Sequence, residues 1–109
     1  MPGLFSFYLK ERENLEVLEC DAGFAIYQIV DDMIYLKDIY VVPSERQTGL
    51  AKWMADQIAE IGRDAGCKKM IGSVSPIANN ATLGMKAILS YGFSLLKSTE
   101  SLILFSKEI

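Results

Sequence analysis

The stretch VVPSERQTGLAKWMA, residues 41–55, joins the end of a strand pattern to the start of a helix pattern. Two adjacent valines favour a strand, and Pro43 ends it because proline has no amide hydrogen to donate to a sheet. Gly49 then stands in a polar run, where a glycine in the first turn of a helix lowers stability by ~1 kcal/mol relative to alanine. The presence of Gly49 therefore needs a reason other than helix formation.

Two interpretations of this stretch are open. Ser44 and Gln47 match the S-x-x-Q capping box, which would make residues 43–47 an ordinary helix start. Alternatively, Gly49 lets a ligand approach the backbone, where the free amides and the dipole of a helix N-terminus bind phosphate oxygens. Arg46 would add a positive charge beside them. Only the second interpretation accounts for Gly49.

A helix follows the loop, and a further strand follows the helix. The apolar residues of the helix recur every three or four positions and form one stripe: Leu50, Met54, Ile58, Ile61 and Ala65. Gly66 is a suitable C-cap, and MIGSVS, residues 70–75, reads as a short buried strand that stops at Pro76. Because a strand, a helix and a strand make a right-handed crossover, the strands ending at Pro43 and Pro76 are predicted to be parallel.

The remaining segments complete a mixed α/β sheet. Residues 4–10 favour either a helix or a strand. LEVLEC, GFAIYQIV and MIYLKDIYVV read as strands, the last two joined by a turn at Asp31-Asp32. A second helix is predicted over residues 80–91, and FSLLKS and SLILFSKEI as a final antiparallel pair. The predicted order is β-β-β-α-β-α-β-β, and a length of 109 residues predicts a single domain over residues 1–109.

Composition excludes several classes of function. The chain has 11 basic against 14 acidic residues, so it lacks the positive charge that nucleic-acid binding needs. No window approaches the ~18 apolar residues of a membrane span, so no membrane partner is expected. Cys20 and Cys67 form no CxxC pair and are expected to be reduced thiols, which favours a cytoplasmic location. The absence of histidine excludes His-activated nucleophiles, and with only two cysteines no metal site is expected.

The loop and its surroundings resemble those of the Gcn5-related N-acetyltransferase (GNAT) family. In that family, a strand ending in V-x-P is followed by R/Q-x-x-G-x-G/A and a long helix, and here Val41-Val42-Pro43 precedes Arg46-Gln47-Thr48-Gly49-Leu50-Ala51. A later Asn and a Gly-Phe pair form the second signature, matched by Asn79-Asn80 and Gly92-Phe93. The resemblance covers roughly residues 15–109, and it agrees with the predicted order of elements.

The resemblance implies acetyl-coenzyme A as the cofactor and an amine, on a small molecule or a protein, as the acceptor. By similarity, the amides of Gln47, Thr48, Gly49, Leu50 and Ala51 would hold the pyrophosphate of coenzyme A, with Arg46 beside them. The backbone of Tyr40 and Val41 would pair with the pantetheine arm like an added strand, and Asn80 would contact the arm from the other side. The family reaction is direct attack of a neutral amine on the thioester, which requires neither histidine nor a nucleophilic side chain.

The catalytic residues follow the family less closely. Many members place a Tyr as the acid four residues before the Gly of the Gly-Phe pair, where this chain has Ile88, and Tyr91 is the candidate instead. Some members carry a Glu base on the strand that here offers only serines. Asp38 is then the candidate base, since Asp is disfavoured within a strand. The alternative is that Asp38 is a charge at the rim or one that faces a partner.

The segment before the first strand is shorter than in most members, in which it helps to form the acceptor pocket. A second subunit in a homodimer could supply the missing wall of the acceptor pocket, or a large acceptor could dock on an open groove.

Two rival hypotheses remain for the function. The first is a protein that binds coenzyme A without transferring its acetyl group, and the second is an interaction domain in which the loop is only a helix cap.

Overall fold

The strand and helix patterns resolve into six strands and three helices within residues 3–76 and 81–109, which the computed structural model describes. One 3-10 turn, Pro43–Glu45, lies in the loop after the third strand. In chain order the other elements are α1 (Leu4–Glu13), β1 (Glu16–Cys20), β2 (Gly23–Val30), β3 (Met33–Val41), α2 (Leu50–Asp64), β4 (Lys69–Val74), α3 (Ala81–Tyr91), β5 (Ser94–Ser98) and β6 (Ile103–Glu108).

The strands form one mixed sheet in the order β1-β2-β3-β4-β6-β5. Neighbouring strands are antiparallel except β3 and β4, which are parallel and are joined through α2. The predicted mixed α/β fold and its order of strands and helices are confirmed. The structure adds one element: the segment that fitted either a helix or a strand forms helix α1.

A β-bulge interrupts β3 at Lys37. Tyr27 on β2 pairs with Leu36, and Ile26 pairs with Asp38, so Lys37 has no partner on β2. Because side chains alternate along a strand, one extra residue reverses the faces of all residues after it. Apolar side chains before and after the bulge therefore pack on the same core, namely those of Ile34, Leu36, Ile39 and Val41, while Asp38 remains exposed.

The pairing of β3 with β4 ends immediately before the bulge. Met33–Leu36 pair with Lys69–Gly72, and no partners follow, although β3 continues to Val41 and β4 to Val74. The two strands separate beyond this point and leave a cleft between them.

Helix α2 packs its apolar stripe against the centre of the sheet. Met54 and Ile58 are completely buried in the same core as Ile34 and Met70. Burial of a side chain of this size contributes ~1.5–3 kcal/mol. Contact is tightest at Gly62, where an added Cβ would lie 2.8 Å from Cγ2 of Ile34. The helix and the sheet therefore leave no room for a side chain at this position.

Helix α2 ends slightly earlier than its stripe predicts. Ala65, assigned to the apolar stripe, is the exposed C-cap residue. Gly66 follows with a φ of 86°, in the left-handed region that glycine adopts after a helix C-terminus. An added Cβ on Gly66 would meet nothing within 4 Å.

Helix α1 lies on the sheet near β1. Ser6 Oγ donates a hydrogen bond to Glu19 Oε1 at 2.8 Å, and the ring of Phe5 meets the ring of Phe24 edge-on with 5.8 Å between centroids. In the part of the chain that the structure describes, no helix combines the length and the apolar character needed to cross a membrane.

Candidate functional site

The loop between β3 and α2 has two residues in the left-handed region. After the 3-10 turn, Arg46 is extended, with φ of -73° and ψ of 150°. Gln47 has a φ of 65°, and Gly49, the N-cap residue of α2, has a φ of 90°. Thr48 Oγ1 donates to the carbonyl oxygen of Glu45 at 2.6 Å and braces the turn. Left-handed conformation costs a non-glycine residue ~1–2 kcal/mol, so the loop holds Gln47 in a shape that the local sequence does not favour.

The capping-box interpretation is wrong for this loop. Helix α2 begins at Leu50, not after Ser44, and its N-cap makes no side-chain hydrogen bond. The first backbone bond of the helix runs from the amide of Trp53 to the carbonyl oxygen of Gly49. Across residues 3–76 and 81–109, no protein acceptor is found for the backbone amides of residues 47–52. These donors are therefore available to a ligand.

The geometry of Gly49 fits an anion-binding role. Its φ of 90° is one that side chains rarely adopt, and an added Cβ would project into open space without meeting an atom within 4 Å. Glycine is thus required by the backbone, and the space before it is free for a ligand. Unpaired amides at the N-terminus of a helix attract phosphate through both hydrogen bonding and the helix dipole.

Arg46 fastens the loop to the end of β3. Its Nε donates to the carbonyl oxygen of Val41 at 2.9 Å, and its guanidinium carbon lies 5.7 Å from the centre of the Tyr40 ring. Tyr40 in turn stacks on Phe24, with 5.7 Å between ring centroids. The positive charge of Arg46 is therefore held at the end of β3, over the Tyr40 ring, and the Val41 carbonyl oxygen already accepts one hydrogen bond.

The separated ends of β3 and β4 line a cleft of about 560 Å³. The cleft brings together several residues that the sequence singled out: Asp38, Tyr40, Val41, Arg46 and Ala51. Gly72, Ser73 and Val74 of β4 form the opposite wall. Asp38 is exposed and follows the bulge directly, in a position where a bulge can redirect a side chain into a site.

Thr48, Gly49 and Leu50 border a different, shallower hollow beside Trp53. Asn80 lies outside the residues that the structure describes. The N-terminus of α2 therefore borders two spaces, the cleft on the side of Arg46 and Ala51 and the hollow on the side of Thr48, Gly49 and Leu50. The predicted contact of Asn80 with the cofactor stays a prediction.

Tyr91 lies apart from Asp38, at the end of α3. Its hydroxyl donates to Asp56 Oδ1 of α2 at 2.6 Å, and Lys107 Nζ lies 5.4 Å from the centre of its ring. Burial and the hydrogen bond to Asp56 raise the pKa of the Tyr91 hydroxyl well above its ordinary value. The same hydrogen bond lowers the pKa of Asp56. Tyr91 thus stays protonated near neutral pH, with its proton directed at a carboxylate.

Two features of the site were missed in the sequence. The bulge at Lys37 is one. The core-facing residues of β3 are two positions apart except between Leu36 and Ile39, where the spacing is three, but Met33–Leu36 is an unbroken apolar run that hides this change in the sequence. The other is Asp56, whose contact with Tyr91 joins residues 35 positions apart. No local pattern in the sequence indicates that contact.

Comparison with known proteins gives a consistent result. The sequence profile described as the Acetyltransferase (GNAT) family matches residues 7–85. Aminoglycoside N(6')-acetyltransferase type 1 of Salmonella typhimurium is 32% identical over 75 residues, which cover 69% of this chain and 48% of the relative. The chain therefore spans about half the length of the curated relatives that it matches.

Solved structures share the fold. The PaiA N-acetyltransferase of Thermoplasma acidophilum, determined in complex with coenzyme A, has a TM-score of 0.78 at 18% identity, covering 97% of this chain and 69% of that one. The ribosomal-protein-S18-alanine N-acetyltransferase of Escherichia coli has a TM-score of 0.68 at 20% identity, covering 99% and 77%. At these identities, the likeness concerns the fold.

Proposed function

Because the chain belongs to the acetyltransferase (GNAT) family, we propose that it transfers the acetyl group of acetyl-coenzyme A to an amine. The observation that carries the proposal is the loop between β3 and α2, where unpaired amides surround a glycine at φ 90°. A cleft between separated parallel strands adjoins this loop. Together they offer a place for a phosphate group and a place for an extended arm.

The residues of the loop fit the cofactor. The amides of Gln47, Thr48, Gly49, Leu50 and Ala51 would hold the pyrophosphate, since a Cβ at Gly49 would occupy the space that the phosphate needs. Arg46 would add its charge. The free edge of β3 at Tyr40 and Val41 would pair with the pantetheine arm. Asn80 is proposed to contact the arm from the side of α3. When bound, acetyl-coenzyme A supplies a thioester carbonyl that a neutral amine attacks directly.

Asp38 is proposed as the general base. An amine is protonated at neutral pH and must lose a proton before it can attack, and a carboxylate in the cleft can accept that proton. Asp38 is the carboxylate that lines the cleft among the described residues, and it is exposed and open to an incoming amine.

Tyr91 is proposed as the proton donor for the leaving sulfur. Its raised pKa keeps the hydroxyl protonated, as a donor requires, but the hydroxyl would first have to leave Asp56. This hydrogen bond also favours a second candidate function, in which the protein binds coenzyme A and transfers nothing. An interaction domain without cofactor is less favoured, because it depends on a capping box that does not form.

The acceptor is proposed to be a small-molecule or protein amine. The curated relative is named for an aminoglycoside and one structural neighbour for the alanine of a ribosomal protein. A net charge of -3 suits cationic acceptors in general. The predicted homodimer and cytoplasmic location stay predictions.

Thermal melting with acetyl-coenzyme A tests cofactor binding first. A ligand at 100 times its dissociation constant adds ~2.7 kcal/mol to stability, which in a domain of this size raises Tm by roughly ten degrees. No shift at millimolar ligand would refute the proposed function.

Acetyl transfer is then measured on a panel of amines that includes an aminoglycoside and a peptide with N-terminal alanine. Asp38→Asn is expected to lower the rate about a hundredfold without weakening coenzyme A binding. Asp64→Asn, at an exposed carboxylate at the end of α2, is the matched control and is expected to change neither. Binding without transfer to any amine would support the second candidate instead.

A further inference from the structure

A third space, an apolar cavity of about 250 Å³, lies between α2, α3 and the sheet, in addition to the cleft and the hollow beside Trp53. Most of the described residues that line it are apolar: Leu36, Ile39, Ala51, Ala55, Ala87, Ile88 and Phe93. The polar ones, Lys52, Ser90 and Tyr91, stand on the two helices. A space of this volume is large enough for several groups the size of a water molecule, each of which takes ~30 Å³.

Two of the polar side chains at the edge of this cavity, Lys52 and Tyr91, bind the same carboxylate, that of Asp56. Asp56 accepts a hydrogen bond from the Tyr91 hydroxyl through Oδ1 and pairs with Lys52 Nζ at 3.2 Å through Oδ2. Among the side chains of residues 3–76 and 85–109, no buried nitrogen or oxygen lacks a hydrogen-bond partner. The lining of the cavity is therefore mainly hydrocarbon, and covering it with the apolar part of a ligand removes apolar surface from water on both sides.

The cavity continues into the cleft between β3 and β4. The residues that line both spaces are Leu36, Ile39, Ala51, Ala87, Ile88 and Phe93. The shared residues include Leu36, the last residue of β3 that pairs with β4. Because the shared residues also include Ala51 in the first turn of α2, the cavity adjoins the cleft along the side that α2 and α3 cover, and Leu36 at the deep end of the cleft is part of that border.

We propose that this cavity receives the acyl chain of an acyl-coenzyme A and that the protein binds acyl groups longer than acetyl. The inference rests on the proposed function, which places the pyrophosphate at residues 47–51. From there, the free edge of β3 over residues 37–41 is ~16 Å long at ~3.3 Å per residue, and it leads to Leu36. An arm that follows this edge carries its thioester to the deep end of the cleft and its acyl chain to the cavity.

The burial of hydrocarbon sets the size of the effect. Each methylene moved from water into an apolar site contributes ~0.8 kcal/mol, which is about fourfold in affinity. Butyryl-coenzyme A has two more methylenes than acetyl-coenzyme A and is expected to bind about fifteenfold more tightly. A cavity of this volume also sets an upper limit, so affinity is expected to stop rising once the chain fills it.

Isothermal titration calorimetry of the protein with coenzyme A and its acetyl, propionyl, butyryl and hexanoyl thioesters tests the inference without relying on turnover. Two variants fill the cavity. Ala55→Leu adds bulk from α2, and Ser90→Leu adds it from α3, at an exposed position that leaves the core intact. Ser98→Leu, on β5 and remote from the cavity lining, is the matched control.

The wild type and the control are expected to gain about fifteenfold in affinity from the acetyl to the butyryl thioester. The filled variants are expected to lose that gain while keeping their affinity for coenzyme A. Equal affinity of the wild type for acetyl and butyryl thioesters would overturn the inference, as would a gain that persists in both filled variants. Absence of binding to coenzyme A itself would overturn the proposed function, and this inference with it. If Ala55→Leu fails to fold in a thermal melt, Ser90→Leu decides the outcome.

Discussion

Two glycines of the chain allow backbone strain to be separated from ligand binding. Gly49 before α2 and Gly66 after it have almost the same φ, 90° and 86°. An added Cβ meets no atom within 4 Å at either position. Replacement by alanine therefore introduces the same strain at both ends of one helix, without a clash at either end.

The effect on stability is expected to be equal. A left-handed conformation costs a residue with a side chain ~1–2 kcal/mol, and part of this is offset because alanine is less flexible than glycine in the unfolded chain. We expect Gly49→Ala and Gly66→Ala each to lose ~1 kcal/mol, which lowers Tm by roughly 4–6 °C in a domain of this size.

The effect on binding is expected to differ. A Cβ on Gly49 would project into the open space at the start of α2, where we propose that the phosphate binds, and we expect it to compete with the phosphate. A hydrogen bond to a charged group contributes ~1.5–3 kcal/mol, so the loss of one such bond weakens coenzyme A binding about ten- to a hundredfold. Gly66→Ala lies at the far end of α2 and is expected to bind as the wild type does.

The assay is calorimetric titration with coenzyme A on both variants, with thermal melts in the absence of ligand. The reasoning is refuted if the two variants lose affinity equally, since the effect would then come from general strain. It is also refuted if Gly49→Ala binds like the wild type, because the amides around Gly49 would then not be the phosphate site.

Three further outcomes test other parts of the structure. Tyr91→Phe is expected to lower the free energy of unfolding by about 1 kcal/mol at neutral pH, because the variant lacks the hydrogen bond to Asp56. Because the pKa of Tyr91 is raised in the folded state, this contribution is complete below pH ~10 and is lost as the pH rises further. Denaturant titrations in which the difference between variant and wild type stays constant above pH ~10 would count against the bond. Burial raises the pKa of the Cys67 thiol, so alkylation followed by mass spectrometry should label Cys20, which is only half-buried, well before Cys67, and equal rates would contradict that burial. Gly62→Ala is expected to lose ~1–3 kcal/mol by overpacking against a buried isoleucine while coenzyme A still binds, and a melt unchanged from the wild type would show that α2 can move away from the sheet.

Local patterns were sufficient to predict much of the fold. The stripe of α2 repeats at helical spacing, and the strands alternate or run apolar between turn residues, so each element was visible in its own stretch of sequence. Helix α1 was ambiguous because its apolar residues lie on all sides, with Leu4 and Phe7 exposed and Leu9 buried. Without a periodic stripe, the conformation of this segment depends on its contacts with β1 and β2, which the local sequence does not show.

The candidate site was predictable only in part. Gly49 could be identified because glycine is unfavourable at a helix start, but the left-handed conformation of Gln47 could not, since glutamine carries no preference for it. The contact between Tyr91 and Asp56 depends on how α2 and α3 lie side by side. That arrangement is a property of packing, and no pattern within either helix specifies it.

The short pairing between β3 and β4 also bears on how the chain folds. Only Met33–Leu36 and Lys69–Gly72 hold the middle of the sheet together, whereas β1-β2-β3 is a meander of adjacent strands whose hydrogen bonds form between near neighbours in sequence. Contacts between near neighbours close small loops and form quickly, while the junction of β3 and β4 must wait for α2 to bring distant segments together. The sheet therefore consists of two halves that are joined by only four residues of each central strand. The cleft that the cofactor would use lies where β3 and β4 remain unpaired in the folded protein.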